Sequence, residues 1–248
     1  MIKKLNKEIS ISAPKAILFD TDNTLYEYEP ANKAAIEAVY IKAHNLLDID
    51  RKTFFDNYKE ARLQVKINIP NTASSHSRLL YFQRMIELLG HKAELILALD
   101  LEQTYWRNFL ANAPLFPHVH QLLKLIRRNN IPIGVITDLT CQIQLRKLTY
   151  FGLEDTFDAI VTSEEVGVDK PDPRNFELML SKLNLKNMSN VWMIGDNPIS
   201  DILGSKRLGA ITFQKNHQGV ELGINDSMPD FIFKNFKDLE VLLSELLH

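Results

Sequence analysis

Ala16-Ile17-Leu18-Phe19-Asp20-Thr21-Asp22-Asn23-Thr24-Leu25 is the stretch on which the fold turns. Four apolar residues run without a break into two carboxylates spaced one residue apart. An apolar run this short reads as a strand buried on both faces, as in a parallel sheet. Such sheets place ligands beyond the carboxyl ends of their strands, which is where Asp20 and Asp22 fall. Side chains two apart on an extended strand share a face. Because the strand is ending, the second carboxylate either returns to the same cleft or turns away. Two close carboxylates repel, and both are costly to desolvate beside an apolar sheet. A bound cation relieves both costs. Taken alone, the segment also reads as an Asx-rich turn capping a helix.

Upstream, residues 1 to 14 read as a short arm with extended residues around Ile9 to Ile11. Downstream of Pro30 the pattern turns helical. Ile36, Val39, Tyr40 and Leu47 share one face. A second helix is marked by Phe54, Phe55, Tyr58, Ala61 and Leu63. A third runs from Leu79 to Leu89 and stops at Gly90, and a fourth from Ala93 to Phe109. About eighty residues without a clear strand are too many for a connection and enough for a small helical domain.

From Pro114 onward strands and helices alternate. Ile131 to Asp138, Asp158 to Ser163, Val191 to Asp196, Ala210 to Phe213 and Phe231 to Phe233 read as strands. Helical patterns lie between them, and an amphipathic helix with Leu239, Leu242, Leu243 and Leu246 closes the chain. This alternation predicts an α/β fold, a parallel sheet covered by helices and joined by right-handed crossovers.

Composition narrows the functional classes. In 248 residues, 45% hydrophobic content is ample for a core, and a net charge of -2 offers no basic surface to nucleic acid or an anionic membrane. No stretch approaches the length of a membrane span, and no apolar run follows the basic amino terminus as in a signal peptide. Cys141 is the single cysteine, so an internal disulfide is excluded. It reads as a small buried or half-buried thiol. His118 and His120 read as surface residues without metal-ligand spacing. These features describe a cytoplasmic globular protein.

Three strands end alike: Phe19-Asp20-Thr21-Asp22, Ile136-Thr137-Asp138 and Ile194-Gly195-Asp196. In a parallel sheet these ends lie on one edge. Thr137 brings a hydroxyl, and the turn after it brings backbone N–H groups near a helix start, which suits an anion. Lys170 sits in the stiff loop Val168-Asp169-Lys170-Pro171-Asp172-Pro173, where it can neutralise a phosphate or a carboxylate nucleophile. Asp196 and Asp201 add carboxylates. Carboxylates, a hydroxyl and one lysine describe a Mg²⁺ and phosphate site, since Mg²⁺ takes few protein carboxylates and accepts a phosphate oxygen.

Asp20-Thr21-Asp22-Asn23-Thr24-Leu25, Thr137, Lys170-Pro171 and Gly195-Asp196 through Asp201 resemble the four ordered motifs of the haloacid dehalogenase-like (HAD) hydrolase superfamily. The helical insert resembles its C1 cap. Within the superfamily the chain looks most like the small-molecule phosphatases that include phosphoglycolate, N-acylneuraminate-9-phosphate and nucleotide phosphatases. The resemblance implies a Rossmann-like catalytic core over 1–26 and 113–248, and an all-helical cap over 27–112. It implies a Mg²⁺-dependent phosphatase acting on a small phosphorylated metabolite through an aspartyl-phosphate.

The implied roles are specific. Asp20 is the expected nucleophile. Asp22 is the expected general acid and base, with its backbone carbonyl on the metal. Thr24 is expected to orient Asp22 and the turn. Thr137 and Lys170 are expected to hold phosphoryl oxygens, and Asp196 to bind Mg²⁺ beside Asp20, with Asp201 steadying its surroundings. Asp138 stands where the family often has asparagine. A carboxylate aimed at phosphate would repel it, so its side chain is expected to cap the following helix. Asp22 also argues against a dehalogenase, whose halide leaving group needs no proton. A phosphomutase would keep Asp22, and a non-catalytic binding protein on a hydrolase fold is the reading from another class.

The motifs touch only the phosphoryl group and the metal, so choice among esters falls to other residues. Asn71-Thr72-Ala73-Ser74-Ser75-His76-Ser77-Arg78, just before an apolar helix, makes His76 and Arg78 candidates for substrate specificity. An ordinary capping segment is the alternative. Tyr26 is a third candidate for substrate specificity, and Tyr26 and Tyr28 either gate the cleft or simply pack. Tyr105 and Trp106 read as cap core.

Overall fold

In a computed structural model of the protein, which describes residues 1–247, the chain divides into two compact units: Met1–Glu27 with Leu115–His248, and Tyr28–Pro114.

The first unit is built on a seven-stranded sheet ordered β1-β7-β6-β5-β2-β3-β4. Its strands are β1 (Lys3–Lys4), β2 (Ala16–Phe19), β3 (Ile133–Thr137), β4 (Ala159–Thr162), β5 (Val191–Gly195), β6 (Ile211–Lys215) and β7 (Phe231–Phe233). β2 to β7 are parallel, and β1 adds an antiparallel edge by pairing Lys3 with Ile232 and Lys4 with Phe231. The extended residues of the amino-terminal arm are therefore Lys3 and Lys4, not Ile9 to Ile11. A two-residue strand at a sheet edge carries no apolar run, so only its partner reveals it.

β2 is central. Ile17 is opposite Ile133 on one side and Trp192 on the other, and Phe19 is opposite Val135 and Ile194. All four residues of β2 are fully buried, as a strand covered on both faces requires. One face packs Leu18, Ile136, Val161 and Met193 beneath Phe176 and Met179 of a helix over Pro173–Lys182. That helix lies so close to β3 that a Cβ at Gly134 would fall 2.5 Å from the Met179 sulfur. On β5 and β6, the Trp192 and Phe213 rings pack tilted at 40° with centroids 4.7 Å apart.

The second unit holds helices α1 (Tyr28–Leu47), α2 (Arg51–Asn68), α3 (Arg78–Leu88) and α4 (Leu95–Ala111). α1 packs on α4, α2 on α3, and α3 on α4. Its core is aromatic, with Phe54, Phe82, Tyr105, Trp106 and Phe109 buried. Asp50 caps α2 by accepting from the Thr53 N–H at 2.8 Å. Among the described residues no helix is long and apolar enough to cross a membrane.

Candidate active site

Asp20 follows β2 directly and stays in register, its N–H donating to Ile194 O at 2.9 Å. The chain then turns sharply. The Leu25 N–H donates to Thr21 O at 2.9 Å, and Asn23 takes a left-handed backbone with φ 61°, which asparagine tolerates. Asp20 and Asp22 therefore part company: Asp20 is buried at the end of the sheet, and Asp22 is half-buried on the turn.

Lys170 ties the strand ends together. Its ammonium donates to Asp20 Oδ1 at 2.7 Å, Asp201 Oδ1 at 2.6 Å and Ile136 O at 2.9 Å, one acceptor for each N–H. Asp201 arrives on a short π-helical turn over Pro198–Leu203, and its second oxygen accepts from the Asn197 N–H at 3.0 Å. Gly195 makes this possible, because a Cβ there would fall 2.4 Å from the Asp201 Cβ.

Two expectations change. Asp138 does not cap the helix that follows it. Its Oδ1 accepts from the Lys170 N–H at 2.9 Å, and the helix after α5 (Val119–Arg128), α6 (Cys141–Tyr150), has Thr140 as its cap residue, without a side-chain bond. The carboxylate positions the lysine loop, a long-range partner that local spacing could not indicate. Nor does Thr24 hold Asp22. Its hydroxyl reaches Asp20 Oδ2 at 3.3 Å and Asp196 Oδ1 at 3.4 Å, because the turn folds it back under the strand end.

Asp22 is held by Lys147, which the sequence did not single out, and by Tyr26, which it did in another role. Lys147 Nζ lies 2.7 and 3.1 Å from its two oxygens, and the Tyr26 hydroxyl donates to Oδ1. Tyr26 is fully buried, with its hydroxyl on Asp22. One turn before Lys147 on α6, Gln144 donates to Thr137 Oγ1 at 2.7 Å, and Thr137 shares a second hydrogen bond with Thr21 Oγ1 at 2.8 Å. The available signal was on α6. Ile143, Gln144, Lys147 and Leu148 form its buried face, and two of those positions are polar. A polar residue at a core position of an amphipathic helix has a partner to meet.

The electrostatics point to a cation. Oxygens of Asp20, Asp196 and Asp201 all lie within 4.8 Å of one another. Burial, reinforced by Asp201 and Asp196, pushes the Asp20 carboxyl well above the usual range despite Lys170. Burial and the Asp201 charge push Asp196 up to about 7. Burial also raises Asp138 to about 6, against the pull of Lys170. Burial works to lower Lys170, but Asp20, Asp201 and Asp138 hold its ammonium well above the ordinary value. One lysine does not balance this many carboxylates, and Asp196 has no ion-pair partner among the described residues. Hard carboxylate oxygens carrying surplus charge are the donor set that suits Mg²⁺.

The family model described as "haloacid dehalogenase-like hydrolase" matches residues 14–209. The chain belongs to this family. The hydrolase is 38% identical over 198 residues to the ribulose-1,5-bisphosphate 5-phosphatase of Halopiger xanaduensis, covering 79% of this chain and 82% of that protein. It is 29% identical to the glyceraldehyde 3-phosphate phosphatase of Methanopyrus kandleri, covering 94% of this chain and 98% of that one. The fold is shared with a crystal structure of 2-haloacid dehalogenase from Pseudomonas syringae pv. Tomato DC3000, at TM-score 0.75 and 22% identity, over 95% of this chain and 99% of that one.

In the hydrolase's helical unit, Arg78 is the first residue of α3 and is buried. Its guanidinium donates to the Tyr28 hydroxyl and to His76 O, and lies 5.1 Å from the Tyr105 ring centroid and 5.4 Å from that of Trp106. His76 is half-buried, closing a single 3₁₀ turn over Ala73–His76. Cys141 is half-buried, as is His118, which reaches Glu240 Oε2 at 3.1 Å.

Proposed function

We propose that this hydrolase is a Mg²⁺-dependent phosphatase that removes phosphate from a small phosphorylated metabolite in the cytoplasm through an aspartyl-phosphate on Asp20. The observation that carries it is the Asp20–Lys170–Asp201 arrangement: a nucleophilic carboxylate held at one oxygen by a buried ammonium. Both relatives above are named as phosphatases of small phosphate esters.

The chemistry follows from the side chains. An Asp20 oxygen attacks phosphorus and the ester P–O bond breaks. The leaving alkoxide takes a proton from Asp22. Water then attacks the acyl phosphate, gives its proton to Asp22, and releases inorganic phosphate with Asp20 restored. Lys147 and Tyr26 fix the carboxyl that moves these protons. Thr137 and Lys170 serve the phosphoryl oxygens. Asp20 and Asp196 would hold Mg²⁺ with the Asp22 backbone carbonyl, and the ion, when bound, neutralises charge on the transferring group. Positioning and charge stabilisation supply most of the catalysis in phosphoryl transfer. Tyr28–Pro114 is read as the C1 cap, with His76 and Arg78 as specificity candidates.

Phosphate release over a panel of sugar phosphates, nucleotides and phosphoglycolate with Mg²⁺ tests the reading. Asp20→Asn should melt like the wild type yet release no phosphate, because an amide is a poor nucleophile. Wild-type turnover by that variant would refute the aspartyl-phosphate. An isomerised sugar phosphate without free phosphate would mark a mutase instead.

A further inference from the structure

The mechanism leaves one buried cation unused. Lys215 is the last residue of β6 and is 2% exposed. Its ammonium lies 4.1 Å from the Phe116 ring centroid and 6.0 Å from that of Phe233. Among the described residues no carboxylate, carbonyl or hydroxyl comes within hydrogen-bond reach of it. A ring face attracts an ammonium less strongly than burial penalises it, so the rings alone do not offset the desolvation. Burial lowers the amine to about 8, against the more distant charges of Glu27 and Asp196.

Its position is set by the sheet. Gly195 of β5 is opposite Gln214 of β6, so Asp196 and Lys215 stand level on neighbouring strands. Gln214 locks this register by donating to Asp196 O and Glu221 O, each at 2.7 Å. Just past the strand, His217 Nε2 donates to Asn23 O at 3.0 Å, and its ring packs on Phe116 with centroids 5.4 Å apart. Lys215 is therefore fixed beside the turn that carries Asp22. The Lys215 backbone lies two strand spacings from that of Asp20, about 10 Å. A lysine stem can span part of that gap and a short carbon chain the rest.

We propose that Lys215 recognises a second anionic group, phosphate or carboxylate, carried on the substrate a short carbon chain away from the phosphoryl group that is removed. The inference rests on the phosphatase reading above and narrows it to doubly anionic phosphate esters. An ammonium at the strand ends with no hydrogen-bond or ion-pair partner among the described residues gains one from the substrate.

The test compares 1,3-propanediol bisphosphate and 2-phosphoglycolate with propyl phosphate, which has no second anion. The wild type should prefer at least one doubly anionic ester in kcat/KM, the larger preference naming the anion. In Lys215→Met that preference over propyl phosphate should fall about tenfold or more, the effect of one charge-assisted hydrogen bond, mainly through KM. Lys215→Arg should restore much of it. Methionine keeps the apolar stem among the rings; Lys215→Gln serves if the melting temperature shows that Met is not accommodated. No preference in a wild type that hydrolyses these esters, or the same preference in Lys215→Met, overturns the proposal and assigns the lysine to ring packing. Calorimetric titration of Asp20→Asn with the same compounds separates the two readings. Lys215-dependent tighter binding of the doubly anionic compounds, in a protein whose wild type hydrolyses none of them, would retain this site and refute the phosphatase.

Discussion

Lys147→Met is the sharpest perturbation of the proposed acid–base machinery. Lys147 Nζ lies 2.7 and 3.1 Å from the Asp22 oxygens, with the lysine side chain 1% exposed and that of Asp22 32% exposed. A hydrogen bond to a charged group contributes about 1.5–3 kcal/mol. Asp22 is open to water over nearly a third of its surface, so screening places the effect near the lower end, about 1.5–2 kcal/mol. At about 1.4 kcal/mol per tenfold, this is a loss of about 10- to 30-fold in kcat wherever proton transfer limits the rate. A neutral stem of similar length keeps the packing from α6 beside the Tyr26 ring, and Tyr26 still holds one oxygen, so Asp22 stays on the turn but loses its fixed orientation. The assay is kcat on two esters. Propyl phosphate leaves as a strongly basic alkoxide and needs the proton. p-Nitrophenyl phosphate leaves as a stable phenolate and needs it little. The variant should lose the full factor on the first ester and much less on the second. Equal losses on both, or a loss confined to KM, would refute the assignment of Lys147 as the residue that positions the proton donor.

Other outcomes follow from the same geometry. Excess chelator should abolish phosphate release and Mg²⁺ should restore it, with Ca²⁺ a poor substitute because the larger ion takes more ligands; full activity in chelator would count against the metal. Asp196, raised from 3.8 to about 7 by burial and Asp201, binds its proton more tightly folded than unfolded. The metal-free wild type should therefore lose stability relative to Asp196→Asn as pH rises from about 4 to 7. A flat or opposite trend in the difference of their melting temperatures would contradict that sign. Gly195→Ala places a Cβ 2.4 Å from that of Asp201. It should cost about 1–3 kcal/mol of stability in denaturant melts and lower kcat by displacing the Lys170 partner; wild-type values for both would show that the turn yields freely.

The sequence determined the pieces whose cause is local. The apolar run Ala16 to Phe19 can only be buried on both faces, and the alternation after Pro114 can only pair such strands in parallel. The carboxylates, the threonine and the lysine fall at strand ends and loops that this topology gathers on one edge. Tertiary structure decided what depends on partners far apart in the chain. Asp138 turned to the Lys170 backbone, Thr24 to Asp20 and Asp196, and Tyr26 with Lys147 to Asp22. A polar side chain settles on whichever acceptor or donor the packed fold brings within about 3 Å, and sequence spacing carries no information on that distance. Lys147 and Lys215 make the point from opposite sides. Both are buried lysines that the sequence did not mark, Lys147 on a helix and Lys215 just past the strand read over Ala210 to Phe213. Only the folded chain gives the first a carboxylate and leaves the second facing aromatic rings, because the cost of burying a charge is set by what surrounds it and not by its neighbours in sequence.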